Sequence, residues 1–195
     1  MTSNQKMIRE QEKLKAQHKF KKLVSFLISN LGGEERKSRI IEKVRRETPK
    51  GREKEGNFVK LFLAPALTRY FLDYPLRVII EGVNSEGATQ FKNIFFGSRP
   101  APDFSFKSES NLFSISPFPL DTVGEVKYAN LNFRSFVTGL GQIIGYLKAS
   151  EFEQSPKIYG YYIFFNTDLD GSIRETDKGF LEELWEKENI FVVII

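Results

Sequence analysis

The chain contains no cysteine and only one histidine, His18. The absence of cysteine excludes disulfides, thiolate metal sites and cysteine-ligated iron–sulfur clusters. A single histidine, placed in a polar helical stretch without a partner, argues against histidine-based catalysis and the usual zinc sites, so we expect a surface His18. No apolar run approaches the roughly 18–20 residues that cross a bilayer. The polar, charged first residues do not resemble a signal peptide. We therefore expect a cytoplasmic protein that does not contact membranes.

The composition indicates one globular domain with a large core. The 195 residues are 41% hydrophobic and 14% aromatic, with 19 Phe. The net charge is +4, and residues 1–60 hold 17 of the 29 Lys and Arg. A basic N-terminal arm beside a more balanced body is typical of a protein that binds a polyanion. The alternative is a helix face whose charges are simply solvated.

The hydrophobic pattern predicts helices and strands in a mixed order. The predicted helices cover residues 4–31, 34–47, 53–72, 133–149 and 175–188. The predicted strands cover residues 77–81, 91–97, 101–106, 111–116, 122–128, 157–166 and 190–195. Gly32-Gly33 should end the first helix, and Pro65 should kink or split the third. The break at residues 48–51 predicts an N-terminal basic helical extension, 1–50, and a core domain, 51–195.

Two short strand patterns place acids and a lysine where they can meet. Side chains two apart on a strand share a face, so Glu125 and Lys127 project together while Val126 points back into the protein. If Asp103 lies on a neighbouring strand, two carboxylates and one ammonium converge. Two carboxylates at one point suit a hard divalent cation such as Mg²⁺, and the lysine can orient water against a phosphate.

The motif Pro102-Asp103 followed by Glu125-Val126-Lys127 resembles the PD-(D/E)xK nuclease superfamily. A second acid-x-Lys triplet, Glu35-Arg36-Lys37, lies in a charged helical stretch without a preceding Pro-Asp strand and does not fit. The resemblance implies an α/β fold of the restriction endonuclease-like type. Its mixed central sheet is flanked by helices on both faces, here with an N-terminal helical extension. That order of elements agrees with the predicted pattern.

The resemblance extends to the helix before the sheet, where family members often place a further acid. Glu55 is followed at four, seven and ten residues by Val59, Phe62 and Pro65, as in restriction-type members. Glu55 is therefore the expected helical carboxylate, with Glu53 as the fallback. The alternative is that both acids only stabilise the dipole of a helix N-terminus.

The helix after the Glu-x-Lys strand holds Gln142 and Tyr146, four residues apart and on one face. This spacing resembles a motif in the nuclease domains of recombination helicase–nucleases and CRISPR-adaptation nucleases. It implies that Gln142 contacts the metal-bound water or the phosphate of the cleaved strand. An ordinary surface glutamine is the alternative.

The implied activity is Mg²⁺-dependent hydrolysis of DNA phosphodiester bonds, with Mn²⁺ as a substitute ion. Asp103, Glu125 and the Val126 carbonyl would hold the ion, and Glu55 would bind through water or hold a second ion. Lys127 would position the attacking water. These roles make Glu55, Asp103, Glu125, Lys127 and Gln142 the expected catalytic set.

DNA is the expected partner, and a homodimer is expected because paired cuts need paired sites. The N-terminal arm, Lys107 and Arg99 would follow the phosphate backbone, so affinity should fall with salt. Two other functions stay open. One is a non-catalytic subunit with a nuclease-like fold that binds DNA or supports an assembly, and the other is an interaction protein that dimerises through its long first helix.

Overall fold

The computed structural model describes residues 3–50, 54–70, 72, 76–80, 102–108, 121–152, 158–169, 171 and 173–195. Within them the chain is an α/β protein. The helices are α1 (Ser3–Leu31), α2 (Glu34–Glu47), α3 (Lys54–Phe58), α4 (Ala64–Tyr70), α5 (Phe133–Phe152) and α6 (Glu175–Glu188). The strands are β1 (Leu76–Ile80), β2 (Phe104–Ser108), β3 (Asp121–Ala129), β4 (Ile158–Asn166) and β5 (Ile190–Ile194).

The first helix ends where the glycine pair predicts. The Gly32 N–H donates to the Ile28 carbonyl over 2.8 Å, which closes the last turn of α1. Gly33 then takes a φ of 82°, a left-handed conformation that glycine adopts without a steric penalty. α2 begins directly after Gly33. Its first turn contains Glu34 and Glu35, whose negative charges interact favourably with the helix dipole.

Pro65 divides the third predicted helix, as expected. α3 continues into a π-helical turn, Val59–Leu63, before α4 begins. Proline has no N–H to donate, and its ring crowds the carbonyl four residues earlier. The helix accommodates this by widening, so that the Ala64 N–H bonds to the Val59 carbonyl, five residues back.

The five described strands form one mixed sheet in the order β1-β2-β3-β4-β5. β1, β2 and β3 pair antiparallel, whereas β3, β4 and β5 pair parallel. Helices α5 and α6 supply the crossovers that parallel neighbours need. The strands predicted at 91–97 and 111–116 lie outside the described residues.

Helices cover both faces of this sheet, as predicted. Side chains of β4 alternate between two cores, with Tyr161, Ile163 and Phe165 on one face and Tyr162 and Phe164 on the other. The first core also contains buried residues of α1 to α4, and the second contains the buried face of α5. β4 is therefore an interior strand buried on both faces, which agrees with its continuous apolar run, although β3 is the middle strand of the described sheet.

The proposed division at residue 50 stays a prediction. Leu23, Leu27 and Leu31 of α1 and Ile40 and Val44 of α2 are buried in the same core as the sheet. Among the described helices, none is both long enough and apolar enough to cross a membrane. His18 is exposed on α1.

Candidate metal centre

The site begins where β2 stops pairing with β3. The last pair in their register joins Phe104 to Gly124. Asp103 lies in a bend directly before β2, not on the strand as predicted. The Phe104 ring lies across Gly124, so closely that a Cβ atom there would stand 2.2 Å from the ring. Glycine at position 124 therefore lets β2 approach β3 and brings Asp103 to the strand edge.

Beyond this point, two carboxylates accept hydrogen bonds from the backbone N–H groups of β3. The Val126 N–H donates to Asp103 Oδ2 over 2.7 Å, and the Tyr128 N–H donates to Glu55 Oε2 over 3.2 Å. Alternate N–H groups of a strand face the same edge, so these two donors continue the row that β2 pairs up to Gly124. The two carboxylates thus pair the N–H groups that β2 leaves open at this edge of β3, and these hydrogen bonds hold the carboxylates in place.

Glu55 reaches this edge because α3 is anchored on the sheet one turn later. Phe58 is fully buried, and its ring centroid lies 5.3 Å from that of Tyr128 and 4.6 Å from that of Phe165. Residues three apart lie on neighbouring positions of a helix face, so burial of Phe58 directs Glu55 towards β3.

Lys127 joins the acids into one cluster. Its Nζ lies 2.7 Å from Glu125 Oε1 and 3.2 Å from Glu55 Oε1. One carboxylate oxygen from each of Glu55, Asp103 and Glu125 lies within 4.8 Å of the others. The side chain of Glu125 is 2% exposed and that of Lys127 14%, so the charges meet in a largely desolvated position.

Burial sets the electrostatics of the cluster. Loss of hydration, followed by the nearby charge of Asp103, raises the pKa of Glu125 to about 8 against the opposing effect of Lys127. For Lys127, burial lowers the pKa. The hydrogen bond and charge of Glu125, together with Glu55, outweigh burial and raise the pKa above its ordinary value. Glu125 and Glu55 thus share one ammonium group, and Asp103 adds a third carboxyl group nearby.

Tyr146 connects Gln142 to the acids. The Tyr146 hydroxyl donates to Glu125 Oε2 over 3.4 Å, and the side chains of Gln142 and Tyr146 are hydrogen-bonded. Burial and the charges of Glu125 and Asp103 raise the pKa of Tyr146, which keeps its proton on the phenol. Gln142 itself is exposed on α5, so it lies at the rim of the cluster.

A buried hydroxyl lies close by on β2. Ser105 is 3% exposed, and its Oγ has no hydrogen-bond partner among the described residues. Ser105 pairs with Val123 of β3, which lies two residues before Glu125. The Val123 side chain belongs to the second core, which contains the buried face of α5.

The structure brings together Glu55, Asp103, Glu125 and Lys127, the four residues expected to converge. It buries Val126 on the opposite face, as the alternation predicts, and leaves Gln142 outside the direct contacts. Glu53 and Arg99 lie outside the described residues, as does the side chain of Lys107. Sequence reasoning missed the contact of Tyr146 with Glu125, although the Gln-x-x-x-Tyr spacing was a signal for it.

Fold and site together define an α/β protein with a carboxylate–lysine cluster at the edge of a mixed sheet. In comparisons with known proteins, no family model, no curated protein and no solved structure matches the chain.

Proposed function

We propose that the protein is a metal-dependent deoxyribonuclease of the PD-(D/E)xK type that hydrolyses DNA phosphodiester bonds. The observation that supports it most is the meeting of Glu55, Asp103 and Glu125 from segments far apart in the chain, with two of these acids paired to the Lys127 amine. Acids and a lysine in this arrangement match the motif that the sequence resembles. The proposal includes DNA as substrate, a homodimer and a cytoplasmic location.

The donor set fits a hard divalent cation. Carboxylate oxygens are the ligands that Mg²⁺ and Mn²⁺ prefer. When ionised, the three acids exceed the charge of Lys127 by two, and a divalent cation balances that excess. Asp103, Glu125 and the Val126 carbonyl would hold the ion, with Glu55 binding through water or holding a second ion. A bound Mg²⁺ supplies positive charge for the phosphate oxygens and for the departing 3′ oxygen.

Lys127 has the donors to position a water. Of the three N–H groups of its ammonium, two are used by Glu125 and Glu55, which leaves one for a water or phosphate oxygen. The two acids fix the amine in place and keep it charged. Tyr146 fixes the second oxygen of Glu125, and Gln142 at the rim contacts the phosphate or its water.

The test is cleavage of linear, circular and branched DNA in Mg²⁺ or in EDTA. Asp103→Asn keeps an oxygen to accept the Val126 N–H but removes the charge, and Lys127→Ala removes the water donor. Each change, like Asp103→Ala, should lower metal-dependent cleavage by about 100-fold or more, while circular dichroism stays that of the wild type. Asp177→Asn and Lys178→Ala, on the exposed face of α6, are matched controls. Full cleavage by either site variant would refute the assignment.

A non-catalytic DNA-binding or assembly subunit is the second candidate. It is favoured by the backbone bonds of Asp103 and Glu55, because acids that complete a strand edge have a structural use without any metal. This candidate predicts DNA binding that is unaffected by EDTA, together with no cleavage of any DNA form in Mg²⁺ or Mn²⁺.

A further inference from the structure

A concentration of positive charge adjoins the acidic cluster. Residues 43–54 contain six Lys or Arg and two Glu, a net charge of +4 that equals the net charge of the whole chain. Four of its described cations, all exposed, lie between the last turn of α2 and the first residue of α3, and we call them the basic junction: Arg45, Arg46, Lys50 and Lys54.

Within the described part of the chain, most cations of the basic junction lack an acidic partner. Among the described residues, Arg46 pairs with Glu47 over 3.6 Å, whereas no ion pair holds Arg45, Lys50 or Lys54. The cations of α6 differ, because Lys178 pairs with Glu175 and Lys187 pairs with Glu183. Unpaired, exposed cations keep their full charge for an external anion.

The junction is fixed next to the site. The Asn57 side chain donates to the Glu47 carbonyl and to Thr48 Oγ1, each over 3.0 Å, which ties the end of α2 to α3 two residues from Glu55. The charge of Arg45 also reaches the Tyr128 phenol, where it opposes the effect of burial that raises the pKa to about 12. The N–H of that same Tyr128 is held by Glu55.

We propose that the basic junction is the surface that holds the phosphodiester backbone of a nucleic-acid strand beside the acidic cluster. This inference rests on the proposed function. Carboxylates repel a phosphate chain, so a strand that enters their neighbourhood needs cations close by. The cations extend from the last turn of α2 into α3, a distribution that matches charges repeated along a polymer rather than one small phosphate.

The experiment measures binding without cleavage. Fluorescence anisotropy in EDTA follows a labelled DNA duplex across a salt series, for the wild type and for Arg45→Gln/Lys54→Gln. Each lost phosphate contact should lower the slope of log K against log salt by about 0.9, so the double variant should lose about 1.8 and bind more than tenfold weaker at low salt. Arg45→Lys/Lys54→Arg keeps both charges and should retain the slope.

The control is Lys178→Gln/Lys187→Gln, which removes the same charge from α6. Equal losses in the two neutralised variants would overturn the inference, as would junction-dependent binding to phosphatidylserine vesicles without binding to DNA. Failure of the proposed function gives a different result, namely junction-dependent DNA binding in EDTA but no cleavage in Mg²⁺. Cleavage by the wild type in Mg²⁺, together with an unchanged DNA affinity of Arg45→Gln/Lys54→Gln, would instead refute only the inference about the basic junction.

Discussion

Glu125 is an acid placed where ionisation is unfavourable. It is almost fully buried, with Asp103 and Glu55 close by, and Lys127 offsets these effects only in part. Without a cation, its ionised form therefore opposes folding. A ligand that binds the carboxylate removes this opposition, which couples occupation of the cluster to the stability of the fold.

This placement predicts a pH dependence of stability. The pKa of Glu125 is about 8 in the folded protein and 4.5 in a solvated glutamate. The folded state therefore holds the proton more tightly than the unfolded state. The stability that this gives at low pH is lost as the pH rises from about 4.5 to about 8. The side chain in Glu125→Gln cannot ionise, so the variant does not lose this stability as the pH rises. In EDTA, the melting temperature of the variant relative to the wild type should rise steadily between pH 5 and pH 8, as measured by circular dichroism.

The reference for this comparison is Glu182→Gln, an exposed substitution on α6 that should leave the pH dependence of the wild type intact. Melting curves of Glu125→Gln and wild type that stay parallel from pH 5 to pH 8 would show that Glu125 ionises as freely as a solvated acid.

At the scale of elements, the site depends on how β2 meets β3. The contact of the Phe104 ring with Gly124 leaves no room for a side chain, and Asp103 lies one residue beyond it. Gly124→Ala forces the ring or the strand to move. We expect a loss of about 1–3 kcal/mol in the free energy of unfolding by urea. The proposed function adds a fall in cleavage, because Asp103 moves away from the Val126 N–H.

Gly141→Ala is the matched control for this substitution. A Cβ atom at that position of α5 meets nothing within 4 Å, and alanine favours a helix over glycine by about 1 kcal/mol. The control should be as stable as the wild type or more so. A Gly124→Ala protein with unchanged unfolding free energy would mean that β2 tolerates displacement and does not fix Asp103.

Local patterns predicted most described elements because each signal acts within a few residues. The Gly32-Gly33 end of α1, the break at Pro65 and the alternation that separates Glu125 from Val126 are examples. The convergence of Glu55 with Lys127 was reached only through the resemblance, since periodicity does not say which helix lies against which strand edge. The bonds from Val126 and Tyr128 to the acids were not predicted, because they depend on where β2 stops pairing.

At the scale of the whole molecule, the basic N-terminal region contributes both charge and core. α1 is 29 residues long, and among its side chains that the structure describes, the buried ones lie towards the end, at Leu23, Leu27 and Leu31. Met7 and Leu14 in its first half are 53% and 65% exposed. The Phe20 ring lies 4.1 Å from that of Phe191 on β5, so the second half of α1 supports the sheet.

Two leucines of α1 test this division of roles. Leu27 is fully buried in the core with the sheet, so Leu27→Ala should cost about 2–5 kcal/mol in unfolding free energy and lower the melting temperature by about 5–15 °C. Leu14→Ala makes the same chemical change at an exposed position and should stay within about 0.5 kcal/mol of the wild type. Chemical denaturation measures both. Similar small losses in the two variants would mean that the buried face of α1 contributes little to the core that it shares with the sheet. A large loss confined to Leu27→Ala makes the C-terminal half of α1 part of the same cooperative unit as the sheet that carries Glu125 and Lys127.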